Sequence, residues 1–149
     1  MVSFVPKLFV VKDEPIHHTI EGLFSYSFDY LTPDIPISEA IDKIVKSEQN
    51  GLPVLDAKKH AIGYLSEKDC LKVALETRYL DDEAGVVKDY MHKDCPTLKF
   101  DTPIFDAVNE FTKVWYHVYP VVNKKGVVIG MIKRKDVLAE IAQQSSKHW

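Results

Sequence analysis

The sequence lacks the features that mark membrane, nucleic-acid-binding and secreted proteins. Its longest strongly apolar run, residues 126–132, is far shorter than the ~20 residues of a membrane-spanning helix. Positive charge is not in excess, because 19 lysines and arginines stand against 22 aspartates and glutamates. The first residues lack the apolar length and the small-residue cleavage site of a secretory signal. We therefore expect a cytoplasmic protein with no membrane and no nucleic-acid partner.

Cysteines and catalytic motifs are also scarce. Cys70 and Cys95 do not form a CxxC or metal-ligand spacing, so we expect reduced thiols rather than a disulfide. The chain contains no P-loop, no GxGxxG, no paired-carboxylate constellation and no Ser/His/Asp order that would support catalysis. These absences predict a protein that is not an enzyme and that requires no metal.

The chain is long enough for one domain or for two small repeats that share a core, and it contains such a repeat. Residues 34–75 align with residues 101–142 without a gap, at a constant offset of 67. The matched pairs include Pro36 and Pro103, Pro53 and Pro120, Gly63 and Gly130, and Asp69 and Asp136. The predicted organisation is an N-terminal extension (1–19), a first repeat (20–76), a polar linker (77–86), a second repeat (87–143) and a C-terminal tail (144–149).

Each repeat has the same predicted order of elements. Apolar residues recur at helical spacing after Pro36 and after Pro103, where a helix tolerates proline. Two short β-favouring runs and a second helix follow in each copy. The predicted strands and helices are 52–56, 61–66 and 67–77 in the first copy, and 119–123, 127–133 and 134–144 in the second. The fold class is therefore predicted as α+β, with the order β-α-β-β-α in each repeat.

The junction between the third strand and the second helix is the most informative place for chemistry. Gly63 and Gly130 lie inside strands, where glycine often marks the close approach of another backbone or of a ligand. The helix that follows offers unpaired N–H groups and a positive dipole, which suit a phosphate. Ser66 and Asp69 could contact such a ligand, but the same pair is equally typical of a helix N-cap that needs no ligand.

The second copy is different because Lys133 occupies the cap position. Together with Arg134 and Lys135 it places three positive charges at the positive end of a helix, which disfavours the helix by ~0.3–1 kcal/mol for each charge. Helix stability does not explain this choice, whereas a nearby bound anion would. A solvated basic face remains the alternative.

These features resemble a tandem pair of CBS (cystathionine-β-synthase) domains, also called a Bateman module. The resemblance rests on the doubled unit, the LPV and YPVV strands, the KDYM lead into the second copy, and the G-x-x-[ST]-x-x-D junction. It implies two repeats packed about a pseudo-twofold axis, with clefts that bind an adenine nucleotide such as AMP, ADP or ATP. It also implies a homodimer formed through the helices and an effector protein that reads the bound state.

The resemblance assigns roles to individual residues. In the first copy it implies that Ser66 contacts phosphate, Asp69 the ribose and Tyr64 the adenine, and in the second copy that Asp136 and Met131 contact the ribose and adenine. Lys133 replaces the expected Ser or Thr, which either weakens the second site or changes its preferred number of phosphates. His117 stands where some relatives contact phosphate, with Asn50 as its equivalent, although a partly exposed histidine at a strand start explains it as well.

We therefore expect a regulatory module that senses an adenine nucleotide. The alternative is an adaptor that binds no ligand and acts only through protein contacts. Tyr116, with Trp115 at the end of the first helix of the second copy, is expected in the core or in an interface rather than as a stacking platform.

Overall fold

The computed structural model describes residues 18–77, 84–113 and 116–146. Most of the predicted N-terminal extension, most of the linker, Trp115 and the end of the tail lie outside these residues. The first repeat contains α1 (Ile37–Ser47), β1 (Gly51–Leu55), β2 (Ala61–Ser66) and α2 (Glu67–Thr77), and the second contains β3 (Leu98–Lys99), α3 (Ile104–Lys113), β4 (Val118–Val122), β5 (Val128–Lys133) and α4 (Arg134–Ser146). Within the described residues, no helix combines the length and the apolar character needed to cross a membrane.

The first helix of each repeat forms for the reason that the sequence predicts. Each buries three apolar residues at helical spacing against the strands of its repeat, and these are Ile37, Ala40 and Ile44 in α1 and Ile104, Ala107 and Phe111 in α3. Pro36 directly precedes α1, where its missing N–H costs no helical hydrogen bond. The helix ends at Ser47, and the residue that caps it, Glu48, has a left-handed backbone with φ of 60°.

The strands of the two repeats pair in the same way. The antiparallel pair β1–β2 places Val54 opposite Gly63, and β4–β5 places Val121 opposite Gly130. The predicted first strand of the β-α-β-β-α unit is β3 in the second repeat, where it runs parallel to β4. In the first repeat its place is taken by a single parallel bridge between Leu31 and Val54. The α+β fold class and the doubled unit are thus confirmed.

The segments before the first helix of each repeat (20–36 and 87–103), which we call the lead segments, each pair with the opposite repeat. Ser25, from the first repeat, exchanges two backbone hydrogen bonds of 2.9 Å with Met131 in β5 of the second. His92, from the second repeat, exchanges two of 2.8 and 2.9 Å with Tyr64 in β2 of the first. The bonds obey the offset of 67, so the backbone follows a pseudo-twofold relation.

The crossover also exchanges core residues. Ile20 and Phe24 are buried in the apolar cluster of the second repeat, whereas Val87 is buried in that of the first. Leu55 and Val122, which are equivalent in the two repeats, meet in a third cluster at the seam between them. Each repeat therefore needs the other to complete its core, and the two fold as one unit.

The strand glycines are explained by this crossover. A Cβ atom on Gly63 would lie 2.6 Å from the carbonyl oxygen of His92, and one on Gly130 would lie 2.5 Å from that of Ser25. The lead segment crosses so closely that no side chain fits. Of the two explanations that the sequence leaves open, the close approach of a backbone is the one that the fold displays.

We predict that Gly63→Ala and Gly130→Ala each destabilise the protein. The added methyl group must displace backbone, and overpacking of this kind costs about 1–3 kcal/mol, which corresponds to a fall in Tm of several degrees at about 2–4 °C per kcal/mol. The measurement is thermal unfolding followed by circular dichroism. Lys124→Ala, in an exposed turn, is the control, and an unchanged Tm in both glycine variants would contradict the explanation.

Candidate functional site

A cavity of about 220 Å³ lies where the lead segment of the first repeat crosses β5 of the second. Its walls include Phe28, Gln49, Tyr64, Met131 and Lys133. We call it the β5 cleft, because Met131 and Lys133 belong to that strand. Aromatic and thioether side chains form part of the lining and polar side chains the rest, a combination typical of sites for small organic ligands.

A second, strongly basic cavity adjoins the β5 cleft. Its volume is about 410 Å³, and it shares Gln49, Val118 and Lys133 with the β5 cleft as common walls. The remaining lining residues are Glu48, His117, Arg134 and Lys135. Three cationic side chains therefore face one carboxylate at the positive end of the α4 dipole, an arrangement that attracts an anion.

Asp136 lies in the first turn of α4, beside this basic cavity. Its Oδ2 accepts a hydrogen bond from the backbone N–H of Lys133 at 3.3 Å, which is a long contact. An ionised carboxylate can accept about four hydrogen bonds, so Asp136 retains acceptor capacity for a ligand hydroxyl.

The equivalent junction of the first repeat is closed on itself. Asp69 Oδ2 accepts hydrogen bonds from the Ser66 backbone N–H at 3.0 Å and from Ser66 Oγ at 2.8 Å. Ser66 Oγ in turn accepts from the Asp69 N–H at 3.1 Å, so the two residues cap α2 reciprocally. Asp69 also pairs with His92, whose Nε2 lies 3.0 Å from Oδ2. The helix-cap alternative describes this copy, and ligand contacts by Ser66 and Asp69 stay a prediction.

Tyr64 and Asn50 also contact other parts of the chain. Tyr64 Oη donates to Asn50 Oδ1 at 3.3 Å, and the Tyr64 ring meets Tyr116 edge-on with centroids 5.6 Å apart. Burial raises the pKa of Tyr64 far above its ordinary value and raises that of Cys95 to about 12. Both side chains therefore stay protonated at neutral pH. Tyr116 packs against the core of the second repeat, as predicted.

The described residues contain no group of three or more His, Cys, Asp and Glu side chains that could hold a metal ion. The arrangement is instead a partly apolar cleft that continues into a cationic cavity.

A family model for the CBS domain matches residues 20–76 and again residues 87–143, which together make up most of the chain. The chain belongs to the CBS-domain family. The suspected family membership is thus confirmed, and the repeat pair is a CBS pair.

Solved structures of CBS pairs share this fold. The CBS-pair protein CBSX2 from Arabidopsis thaliana has a TM-score of 0.74 and 22% identity, covering 89% of this chain and 99% of that one. A crystal structure of CBSX2 in complex with AMP has a TM-score of 0.71 and 24% identity, covering 85% and 97%. At these identities the likeness shows the fold alone.

Curated relatives match this chain over only part of their own length. An uncharacterized 17.7 kDa protein of Acidianus ambivalens is 26% identical over 105 residues, which are 70% of this chain and 62% of the relative. The inosine-5'-monophosphate dehydrogenase of Aquifex aeolicus is 29% identical over 107 residues, but these make up only 21% of the enzyme. An uncharacterized protein of Methanocaldococcus jannaschii is 32% identical over 115 residues, or 25% of its length. The chain therefore spans less than two thirds of each of these relatives.

The sequence analysis missed part of the β5 cleft of this CBS pair. Ser25, Ser27, Phe28 and Gln49 all line it, yet none belongs to a motif that the repeat brought out. Three of them lie in the lead segment, before the gapless alignment begins. They lie inside the predicted first repeat, but their equivalents His92, Asp94 and Cys95 differ from them in residue type, so no shared motif marks them.

We predict that Ser66→Ala costs about 1 kcal/mol of stability, because it removes the side-chain cap of α2. The matched control is Lys133→Ala at the equivalent position of α4. This change removes no cap and takes one positive charge from a helix N-terminus, so it should leave stability unchanged or slightly raised. Urea unfolding of both variants makes the comparison, and equal losses would contradict the assigned cap.

Proposed function

We propose that this CBS pair binds an adenine nucleotide, AMP, ADP or ATP, in the β5 cleft and regulates another protein without catalysing a reaction. The observation that carries the proposal is the basic cavity adjoining a partly apolar cleft. The β5 cleft then offers a surface for the base, and the basic cavity offers one for the phosphates.

The base would occupy the β5 cleft. Phe28, Tyr64 and Met131 present aromatic and thioether surface there, and a flat heteroaromatic ring gains most from such contacts because it removes apolar area from water. Gln49 supplies both a donor and an acceptor for the polar edge of the ring.

The phosphates would lie in the adjoining cavity. Lys133, Arg134 and Lys135 concentrate positive charge at the start of α4, and His117 can add a further donor. This placement explains three cations at a helix end where they do not help the helix. Under the proposal, the Lys133 departure from the family pattern gives the cavity a charge that Ser or Thr would not supply.

The ribose would lie between the two cavities, near Lys133, which lines both. Asp136, one turn into α4, would accept hydrogen bonds from the two ribose hydroxyls with the capacity that its long contact to Lys133 leaves unused. The AMP complex of a CBS pair of the same fold supports a nucleotide of this class.

This chain matches a segment that makes up only about a fifth of a larger enzyme, and such a match to a small part of an enzyme supports a regulatory role. We propose that ligand binding orders the two repeats against each other and that an effector protein reads this change. We place the protein in the cytoplasm, where its free thiols Cys70 and Cys95 would stay reduced.

A second copy of the chain is the proposed partner of the helices. Leu71 and Leu75 on α2 and Leu138 on α4 are 68%, 82% and 64% exposed, which is unusual for leucine. Leu71 borders an apolar groove between α1 and α2, and Leu138 borders the equivalent groove between α3 and α4. Two matching grooves with projecting leucines suit a twofold homodimer, in which the same surface meets itself.

We predict that AMP, ADP or ATP raises the Tm of the protein. A ligand at 100 times its Kd stabilises by about 2.7 kcal/mol, or roughly 5–10 °C at about 2–4 °C per kcal/mol. Asp136→Ala and Lys133→Ala should each weaken binding by about tenfold or more, because each removes a charge-assisted hydrogen bond. Thermal shift and titration calorimetry provide the measurements.

The matched controls are Asp106→Ala in the first turn of α3 and Lys125→Ala in the β4–β5 turn, which leave the β5 cleft intact. They should bind as the unchanged protein does. Affinity should also fall as salt is added, since the cationic side chains are exposed. If none of the three nucleotides shifts the Tm at millimolar concentration, the proposal fails and the ligand-free adaptor takes its place.

We predict that the protein sediments as a dimer and that the double variant Leu71→Glu, Leu138→Glu sediments as a monomer. Burying two carboxylates in an apolar interface costs more than the contacts return. Tyr26→Glu, which changes an exposed side chain outside the helices, should remain dimeric. Sedimentation velocity distinguishes the states, and a monomeric unchanged protein would refute the proposed interface.

A further inference from the structure

The fold contains a second cleft position that is related to the β5 cleft by the offset of 67. We call it the β2 cleft, because Tyr64 and Ser66 of β2 stand where Met131 and Lys133 of β5 stand in the other. Other equivalent positions include Cys95 for Phe28, Tyr116 for Gln49, Tyr119 for Leu52 and His92 for Ser25. The backbone framework is thus the same on both sides, and the side chains differ.

Aromatic rings of the chain itself meet at the β2 cleft position. Tyr116 lies edge-on to Tyr64 with centroids 5.6 Å apart and to Tyr119 at 5.8 Å. Tyr119 in turn packs on Phe111 at 4.9 Å, which joins the rings to the core of the second repeat. The position equivalent to Tyr116 in the β5 cleft is occupied by Gln49, which carries no aromatic ring.

The acidic residue of the β2 cleft is also engaged. His92 Nε2 lies 3.0 Å from Asp69 Oδ2, and the same carboxylate oxygen accepts from Ser66. In the β5 cleft the equivalent of His92 is Ser25, whose hydroxyl donates to the carbonyl oxygen of Ser27 instead. Asp136 therefore has no partner of that kind from the crossing segment.

The side-chain charge at the two helix starts also favours anion binding at the β5 cleft over the β2 cleft. Lys133, Arg134 and Lys135 at the start of α4 are replaced at the start of α2 by Ser66, Glu67 and Lys68. The second set carries one positive and one negative charge, so it offers an anion no net attraction.

From these contacts we infer that the CBS pair binds one nucleotide per chain, and that Tyr116 decides this number by occupying the β2 cleft. The inference rests on the proposed function and adds to it which cleft binds and which residue sets the stoichiometry. Gln49 and Tyr116 are then the pair of equivalent positions that make one cleft open and the other closed.

The test exchanges these two residues separately. Isothermal titration with AMP, and separately with ATP, should give one equivalent per chain for the unchanged protein. Tyr116→Gln should raise the number to two, with the added site binding more weakly because its helix start lacks the cationic charge. Gln49→Tyr should abolish binding by filling the β5 cleft. Circular dichroism and Tm establish that each variant is folded.

The outcomes separate the inference from the function on which it rests. If the unchanged protein binds neither nucleotide, the proposed function fails. If it binds two equivalents, the function stands and the single-site inference is overturned. A folded Gln49→Tyr that still binds fully, or a folded Tyr116→Gln that stays at one equivalent, overturns the role given to these positions. Should Tyr116→Gln not fold, Gln49→Tyr decides alone.

Discussion

The structure depends on the backbone pairing between each lead segment and the second strand of the opposite repeat. The reciprocal hydrogen bonds of Ser25 with Met131 and of His92 with Tyr64 join two units that could not bury their cores separately. Gly63 and Gly130 permit this pairing because a side chain at either position would meet the crossing backbone. The same crossing supplies a wall of each cleft. Folding and the proposed binding therefore share one requirement, which is that the two repeats remain locked together.

The pseudo-twofold relation belongs to the backbone, and the proposed function depends on where the side chains depart from it. Equivalent backbone bonds recur at the offset of 67 in the crossover, yet Gln49 lines a cavity whereas Tyr116 packs against Tyr64. A repeat protein keeps positions that hold the framework, such as the strand glycines, and can change positions that only line a cleft. Under the proposal, one copy serves stability at this position and the other serves binding.

Much of the fold could be predicted from the sequence because it is encoded by local patterns. The strand Ala61–Ser66 and the helix Glu67–Thr77 have the predicted bounds, and α4 extends only two residues beyond its predicted end. The crossover could not be predicted, since a pairing between Ser25 and Met131 joins residues far apart in the chain and leaves no periodic pattern. The sequence did not indicate either whether one or both of the expected clefts bind. Whether Asp69 is engaged within the chain depends on the position of His92, which only the three-dimensional arrangement provides.

The three cations at the start of α4 show how a local cost can indicate a function. Each is disfavoured by ~0.3–1 kcal/mol at the positive end of a helix dipole, and the equivalent helix α2 avoids the cost with a reciprocal Ser66–Asp69 cap. The two helices occupy equivalent places, so the fold itself does not demand the cations. Their side chains line a cavity beside a cleft that the chain leaves unfilled. A bound polyanion would offset the repulsion between the three cations and the helix dipole, because both the side chains and the dipole would then stabilise the phosphate charge. The unfavourable charge at α4 therefore supports the proposed ligand site.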